Sequence, residues 1–254
     1  MKYCAFDLEI VKEIQQGEDW KSIRPLGISC AAFLTNLEDV PTKFFSGIPN
    51  EPEGRAMDKF ECSLIVDYLA GALSLGYTPL TFNGLMFDFD VLAEESGMFE
   101  ECKNLAMKSV DMMFHFFCVK GYMIGLNTVA KGLGLPGKTE GMSGALAPIM
   151  WSGNSEKLKE LEVPFYDYTD LALREKVLEY VGQDARTTLE VAELAESKQG
   201  FHWTSKSGRP NTFNLSVPLQ RWLTVEECME LPEPDQSWMS DPKKRSDFYS
   251  WMNK

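Results

Sequence analysis

Histidine is scarce in this sequence, and the cysteines are not spaced to bind a metal. The chain has 254 residues with two His and six Cys and contains no Cys-x-x-Cys pair. The six cysteines stand far apart: Cys4, Cys30, Cys62, Cys102, Cys118 and Cys228. Zinc sites and disulfide frameworks both need closer or more regular spacings. The composition therefore argues against a zinc protein or a disulfide-rich protein, and buried reduced thiols are expected.

Long apolar runs and an excess of positive charge are also missing. No run reaches the ~18 residues of a membrane span. Met1-Lys2 leads directly into a strand-like segment and not into a secretory signal. We therefore expect a cytoplasmic protein without a membrane partner. The formal net charge of −13 argues against coating of nucleic acid by bulk electrostatics, but it allows a local grip on a few nucleotides.

The pattern of apolar residues predicts an α/β fold with a mixed five-stranded sheet. With 44% hydrophobic residues, the chain can bury one large core. Short strands are predicted at KYCAFDLEI, LGISCAAFL, TKFFSG, TPLTFN and LAMKSV. Helices are predicted over residues 59 to 75, at DFDVLAEESG and at MMFHFFCVK, the last capped by Asp111. A long helix follows from Thr169, with a break possible at Gly182.

Asp7 and Glu9 are the first candidates for chemistry. Two residues apart on a strand, their side chains share one face, with Cα atoms ~6.6 Å apart. A polar strand face at water would explain a lone Asp-x-Glu pair. Here the neighbouring residues are apolar and the strand opens the domain. Two acids at the end of an expected central strand therefore indicate a site.

Two further segments offer acids. Asp88 follows TPLTFN at a transition from strand to helix, where it either caps the helix or belongs to a site. Tyr180 and Asp184, in YVGQD, lie ~6 Å apart along a helix and nearly on one face. Gly182 between them either lets the helix approach a strand closely or has no role.

Convergence of Asp7, Glu9, Asp88 and Asp184 would require bound cations. Two unit charges at about 4 Å repel by about 4 kcal/mol at an effective dielectric of about 20. Oxygen ligands without His or Cys suit Mg²⁺ or Mn²⁺ better than Zn²⁺. Two such ions form the arrangement used for in-line attack on a phosphodiester.

The motifs FDLEI, FNGLMFD and YVGQD resemble those of the DEDD (DnaQ-like) 3'-5' exonucleases, which share a ribonuclease-H-like fold. Tyr180 is typical of the DEDDy subgroup, and Glu179 stands where the His subgroup needs a His. The second motif is similar to that of the proofreading domains of family-B DNA polymerases. The resemblance runs from residue 3 to about 195. It implies an exonuclease domain over residues 1–199 and a C-terminal hairpin and helical extension over 200–254, packed on it.

The resemblance also implies roles for single residues. Asp7 would bridge two metal ions, Glu9 and Asp184 would complete the site of the ion that activates water, and Asp88 would support the second ion. Tyr180 would orient the attacking water. Asn83, in the second motif, would contact the nucleic acid. The first motif continues IVKEI where many relatives have TTG, so the residues that bind the terminal nucleotide stay open.

A rival signal lies at residues 132–139, where GLGLPGKT matches the Walker A pattern of P-loop proteins. A P-loop follows a buried strand, whereas LNTVAKGLGL indicates a short amphipathic helix closed by Gly134. The exonuclease relatives have a similar stretch at this place, which implies that Lys138 contacts a phosphate.

The C-terminal part has a different charge. Residues 198–222 contain four cations and no acid: Lys198, Lys206, Arg209 and Arg221. The centre of this segment predicts a hairpin turning at Ser207-Gly208. Trp203, Lys206 and Arg209 suit base stacking and contact with a single-stranded backbone; the alternative is a hairpin whose aromatic residues pack on the domain. A capping box at TVEE and a helix at SDPKKRSDFYSWM follow.

These residues together predict a metal-dependent 3'-5' exonuclease that uses two Mg²⁺ or Mn²⁺ ions. Its partner would be nucleic acid with a free 3' end, hydrolysed to nucleoside 5'-monophosphates. DNA is favoured because the second motif is polymerase-like, and an exoribonuclease is the alternative. A P-loop nucleotide-binding protein and a non-catalytic nucleic-acid binder are the remaining readings. The sequence leaves pathway, protein partners and oligomeric state open.

Overall fold

A mixed five-stranded sheet is the centre of the computed structural model, which describes residues 1–46, 56–136, 141–163, 169–205, 207–215 and 219–253. Its strands are β1 Tyr3–Ile10, β2 Ile28–Thr35, β3 Thr42–Phe45, β4 Thr78–Thr81 and β5 Val110–Asp111. Their order in the sheet is β3-β2-β1-β4-β5. Strand β1 is antiparallel to β2 and parallel to β4. The predicted α/β fold with helices around a mixed five-stranded sheet is confirmed.

The helices follow the predicted order in most places. Their bounds are α1 Lys59–Ser74, α2 Asp88–Ser96, α3 Phe99–Lys108, α4 Met112–Lys120, α5 Leu126–Leu133, α6 Ala147–Trp151, α7 Ser155–Glu160, α8 Asp170–Ser197 and α9 Val225–Met229. Gly97 ends α2 in the left-handed conformation, and the Asp111 side chain caps α4. Thr224 and Glu227 form the predicted capping box of α9.

The alternation of side chains along β1 separates the two faces of the sheet. One face packs against α1, α2 and α3 through the even-numbered residues Cys4, Phe6, Leu8 and Ile10. The odd-numbered residues belong to the opposite face: Tyr3, Ala5, Asp7 and Glu9. Tyr3 and Ala5 pack there in a cluster with side chains of α5 and α8. Both acids of the first motif are therefore on the face that α8 crosses.

Helix α8 is continuous over 28 residues, so the break allowed at Gly182 does not occur. Val181 and Ala185 are buried in the cluster that covers β2, and this packing supports the helix on both sides of the glycine. A Cβ atom on Gly182 would lie 2.9 Å from Cε of Lys43 on β3. The glycine thus brings α8 close to an edge strand through the Lys43 side chain.

Two predicted elements differ from the structure. Of LAMKSV, only Val110 belongs to the predicted last strand, β5, which is two residues long. Leu105–Lys108 belong to α3, because Cys102, Leu105 and Ala106 are buried at helical spacing. The C-terminal segment SDPKKRSDFYSWM forms two short 3-10 helices, Arg245–Phe248 and Ser250–Asn253. This arrangement buries Phe248 and Trp251 in the core.

The C-terminal residues contribute to both faces of the sheet. A hairpin of β6 Gly200–Thr204 and β7 Pro210–Asn214 has the predicted antiparallel register around Gly208. Its buried aromatic residues, with Trp222, belong to the cluster of α5 and α8. Trp251 Nε1 donates a hydrogen bond of 2.7 Å to the carbonyl oxygen of Leu85. The division into domains at residue 199 stays a prediction.

Within the described ranges, the helices are all too short or too polar to cross a membrane.

Candidate metal centre and active site

Three carboxylates from distant parts of the chain meet on the α8 side of the sheet. Each of Asp7, Glu9 and Asp184 offers an oxygen atom, and these atoms lie within 4.8 Å of one another. Glu9 and Asp184 are buried, and Asp7 is half-buried. Strand β1 supplies two of the acids from one face, and α8 supplies the third where it crosses that strand. The structure thus brings together three of the four acids that the sequence singled out, and their role as metal ligands stays a prediction.

Tyr180 lies one helical turn before Asp184 and hydrogen-bonds to its carboxylate. Burial raises the pKa of the Tyr180 phenol well above its ordinary value, and the charges of Asp184, Glu9 and Asp7 raise it further. The phenol therefore keeps its proton. Since the Asp184 carboxylate can only accept, Tyr180 is the donor in this pair. The side chain is 2% exposed, so its hydroxyl has a fixed direction.

Asp88 is beside the group of three acids but is not a member of it. It is the first residue of α2, and its Oδ1 accepts a hydrogen bond of 3.1 Å from the backbone N–H of Leu8. Burial raises the pKa of Asp88 to about 7, and the charges of Asp111 and Asp184 add to that effect. Asp88 is thus attached to β1 between the two acids of the first motif.

Asp111 has a larger role than the helix cap that its position in the sequence indicated. Its carboxylate accepts hydrogen bonds from the backbone N–H groups of Asn83 (3.0 Å), Leu85 (2.8 Å) and Phe114 (3.0 Å). The first two belong to the turn between β4 and α2. Asn83 adopts φ 77° in this turn, a left-handed conformation that Asn tolerates better than most residues. Asp111 therefore fixes the turn that delivers Asp88.

A cleft of about 470 Å³ opens beside the acids. Asp7 and Asp184 line it, together with Asn83, Met123, Ile124 and Asn127. Asn83 therefore lies at the cleft, and its contact with nucleic acid stays a prediction. Asn127 was missed, because an Asn at the start of an amphipathic helix is an ordinary surface residue by sequence alone.

The other predicted nucleic-acid contacts are divided. Lys138 and Lys206 lie outside the described residues, and Arg209 is exposed beside the hairpin turn. Trp203 is 8% exposed and packs against Phe116, with ring centres 5.4 Å apart, which favours the packing alternative over base stacking. Arg221 forms an ion pair of 2.6 Å with Glu227, so this cation of the basic segment already has a protein partner.

The first glycines of the Walker-like stretch belong to a helix. Gly132 is inside α5, and Gly134 ends that helix with φ 84°. A Cβ atom on Gly132 would overlap the carbonyl oxygen of His202, so this glycine permits close packing of α5 on β6. A P-loop would have to follow a strand, and the described part of this stretch does not. Residues 137–139 are outside the described ranges.

The acids fit a divalent cation by their chemistry. Three carboxylates within 4.8 Å repel one another strongly unless positive charge lies among them. Their oxygen atoms are hard ligands, which Mg²⁺ and Mn²⁺ prefer. The site can therefore hold metal ions, and the same site can activate water next to a phosphate ester.

Comparison with known proteins agrees with this geometry. A family model described as the RNase_H superfamily matches residues 58–196. The match includes Asp88, Tyr180 and Asp184, whereas Asp7 and Glu9 precede it. No curated protein matches the chain. Proteins with a ribonuclease-H-like fold include divalent-metal nucleases, which suggests a nucleic-acid-cleaving hydrolase. Since the match spans more than half of the 254 residues, the chain belongs to the RNase_H superfamily.

Proposed function

We propose that this protein is a metal-dependent 3'-5' exonuclease of the DEDDy type. It hydrolyses phosphodiester bonds at the 3' end of single-stranded nucleic acid, with DNA preferred, and releases nucleoside 5'-monophosphates. The observation that carries the proposal is the meeting of Asp7, Glu9 and Asp184 within 4.8 Å, with the Tyr180 hydroxyl hydrogen-bonded to Asp184.

The metal ligands in this proposal are Asp7, Glu9 and Asp184, with Asp88 as the ligand of a second ion. Two Mg²⁺ or Mn²⁺ ions would make water more acidic and stabilise the charge that develops on the phosphate. Asp88 suits its role because the hydrogen bond from Leu8 N–H fixes its carboxylate next to β1. The turn held by Asp111 keeps Asp88 in this position beside the other acids.

Tyr180 orients the attacking water. Its phenol stays protonated beside three carboxylates, so the hydroxyl group can donate to one oxygen and accept from a water molecule. The hydrogen bond to Asp184 defines the direction of its remaining lone pairs. A water molecule held between Tyr180 and the acids would face a phosphate that enters from the cleft lined by Asn83 and Asn127.

The direction of cleavage and the preference for DNA are supported by the motifs. FDLEI, FNGLMFD and YVGQD have the order and spacing of the DEDDy exonucleases, and the second motif has the form found in polymerase proofreading domains. The pairing of Tyr180 with Asp184 supports the Tyr subgroup, since the subgroup is defined by a Tyr four residues before the last Asp.

Oligonucleotides labelled at one end test this function. With Mg²⁺ or Mn²⁺, a 5'-labelled single strand should shorten through a ladder, and a 3'-labelled strand should release labelled mononucleotide at once. Asp184→Asn is the inactive control for contaminating nuclease. The same substrates in RNA and duplex form measure the preference for DNA and for single strands.

Two outcomes would contradict the proposal. Cleavage of circular single-stranded DNA would identify an endonuclease of the same superfamily. Absence of any cleavage with either metal, by a protein that still binds the oligonucleotide, would identify a binding protein.

A further inference from the structure

A second and larger cavity, of about 860 Å³, lies between α5 and the C-terminal hairpin. Its size is within the range of about 300–1,000 Å³ that small-molecule sites occupy. Most of the residues that line it have polar side chains, among them Asn127, Thr128, Lys131, His202, Asn211 and Thr212. None of the roles derived from the motifs uses this cavity.

The walls of the cavity are held together firmly. Gly132 of α5 faces the carbonyl oxygen of His202 so closely that a Cβ atom would overlap it. Trp203 and Phe213 anchor the hairpin in the core beneath. Nδ1 of His202 hydrogen-bonds to Oγ1 of Thr212 across the two strands (2.8 Å). Helix and hairpin therefore form a preformed groove.

The chemistry of the groove suits a polyanion. Although the chain has a net charge of −13, the described residues that line the groove include no Asp or Glu. Lys131 is exposed on α5 and supplies the positive charge. Because Thr212 engages Nδ1 of His202, the Nε2 atom is the ring nitrogen left for a ligand. The amide and hydroxyl groups of Asn127 and Thr128 add neutral hydrogen-bond donors.

The groove continues into the cleft of the metal centre. Asn127 lines both cavities, and in α5 it lies one helical turn before Lys131. An extended ligand that passes from the acids past Asn127 therefore reaches Lys131 without leaving the protein surface. Because the two cavities are continuous, the groove is an extension of the cleft and not an unrelated surface depression.

We propose that the groove between α5 and the hairpin binds the sugar-phosphate backbone of single-stranded nucleic acid on the 5' side of the bond that is cut. This inference rests on the proposed function, which places the 3' end at the acids. Since Lys131 neutralises one phosphate of that strand, short substrates that end in the cleft do not contact it. The groove thus makes binding dependent on the length of the strand.

Binding without metal tests the groove independently of catalysis. Single-stranded DNA of increasing length, labelled with fluorescein at its 5' end, is titrated with protein in EDTA, and fluorescence anisotropy gives Kd. Each phosphate neutralised on a single strand contributes about −0.7 to the slope of log affinity against log salt concentration. At about 0.1 M salt this contribution corresponds to about fivefold in affinity. Lys131→Gln should therefore weaken binding of a long strand about fivefold and reduce the slope by about 0.7. Lys131→Glu should weaken it further.

Lys108 provides a matched control. Like Lys131, it is an exposed lysine in the last turn of its helix, but α3 packs on the opposite face of the sheet. Lys108→Glu should leave Kd and the salt slope unchanged, and circular dichroism confirms that each variant is folded. The same Kd for Lys131→Glu and wild type, or an equal loss with Lys108→Glu, overturns the proposal. Failure of wild type to bind the strand overturns it as well.

A small substrate separates this proposal from the proposed function. The p-nitrophenyl ester of thymidine 5'-monophosphate reaches the metal centre without entering the groove, so its hydrolysis should be unchanged in Lys131→Glu, whereas cleavage of long strands should slow. Length-dependent binding that Lys131→Glu weakens, without cleavage of any substrate, supports binding of the strand by the groove but overturns the exonuclease and the placement of the groove relative to a cut bond. Normal cleavage of long strands by Lys131→Glu overturns the groove and leaves the exonuclease standing.

Discussion

The Asp88 carboxylate accepts a hydrogen bond of 3.1 Å from the backbone N–H of Leu8. One side chain thereby connects the start of α2 to the middle of the strand that carries Asp7 and Glu9. The residue has two separable properties: an acceptor oxygen that orders the backbone and a charge that can bind metal.

A pair of substitutions at Asp88 separates these properties. Asp88→Asn keeps an acceptor for Leu8 N–H, so it should leave the free energy of unfolding almost unchanged while kcat falls on the order of 100-fold or more. Asp88→Ala leaves the buried Leu8 N–H without that acceptor, so it should also lower the free energy of unfolding by about 1–3 kcal/mol relative to Asp88→Asn. Urea unfolding and exonuclease assays measure the two effects. Equal stability of both variants would show that the hydrogen bond does not support the strand.

Metal binding should appear as a change in thermal stability. Asp7→Ala relieves repulsion among three carboxylates, so the metal-free variant should melt at the same temperature as wild type or slightly higher. Mn²⁺ or Mg²⁺ at about 100 times its Kd should stabilise wild type by about 2.7 kcal/mol and should not stabilise Asp7→Ala. Calorimetry with EDTA or metal measures this difference. A strong loss of stability in metal-free Asp7→Ala would instead assign Asp7 a structural role.

Tyr180→Phe should reduce kcat roughly 10- to 100-fold while metal still stabilises the protein. The substitution removes the hydroxyl that contacts Asp184 and retains the buried ring. Tyr68→Phe is the control, because the Tyr68 hydroxyl also hydrogen-bonds to a neighbour, Thr42, but lies in the cluster on the opposite face. Unchanged kcat in Tyr180→Phe would remove this residue from the mechanism.

His115 should make the protein sensitive to acid. It is fully buried, its Nδ1 accepts a hydrogen bond of 3.3 Å from Leu223 N–H, and burial lowers the pKa of His115 to about 4. The unfolded chain binds a proton near pH 6.5, while the folded chain resists it, so stability is lost as pH falls from about 6.5 towards 4. This loss amounts to roughly 2 kcal/mol between pH 7 and pH 5.

Denaturant unfolding at several pH values tests this effect. His115→Gln should be less stable than wild type at pH 7, but the difference should shrink by roughly 2 kcal/mol at pH 5. His202→Gln changes the exposed histidine of β6 and serves as the control. Parallel pH profiles of wild type and His115→Gln would contradict the assignment.

Three glycines inside helices should respond differently to alanine. Gly132→Ala places a Cβ on the carbonyl oxygen of His202 and should cost about 1–3 kcal/mol. Gly71→Ala meets no atom within 4 Å and should stabilise α1 by up to about 1 kcal/mol. Gly182→Ala meets the flexible end of Lys43 at 2.9 Å and the Pro41 side chain at an ordinary contact distance of 3.6 Å, so it should be nearly neutral. Urea midpoints measure all three; a stable Gly132→Ala would refute the close contact of α5 with β6.

The sequence predicted those parts of the fold that depend on local pattern. Alternation identified β1, helical spacing identified α1, and the positions of Gly97 and Asp111 marked helix ends. Most of LAMKSV was wrongly predicted as a strand, because a short apolar run does not show whether its period is that of a strand or of a helix. The helical spacing becomes clear only when the burial of Cys102 is known.

The site was predictable where the chemistry is unusual and not where it is ordinary. Asp7 and Glu9 stood out because acids beside apolar residues need a reason, and Asp184 because it lies one helical turn after Tyr180 with a glycine between them. The contact of Asp111 with Asn83 spans 28 positions of the chain, and the place of Asn127 between two cavities depends on how α5 meets the hairpin. Such relationships arise from tertiary packing, which residue spacing does not encode.

The hydrogen bond from Trp251 to Leu85 has a consequence for biosynthesis. Leu85 is in the turn that precedes Asp88, so that turn gains its last partner only after residue 251 has left the ribosome. A stalled nascent chain that already exposes the acidic strand is therefore expected to lack a finished catalytic centre. Assembly of the proposed active site is therefore expected to wait until residue 251 has emerged from the ribosome.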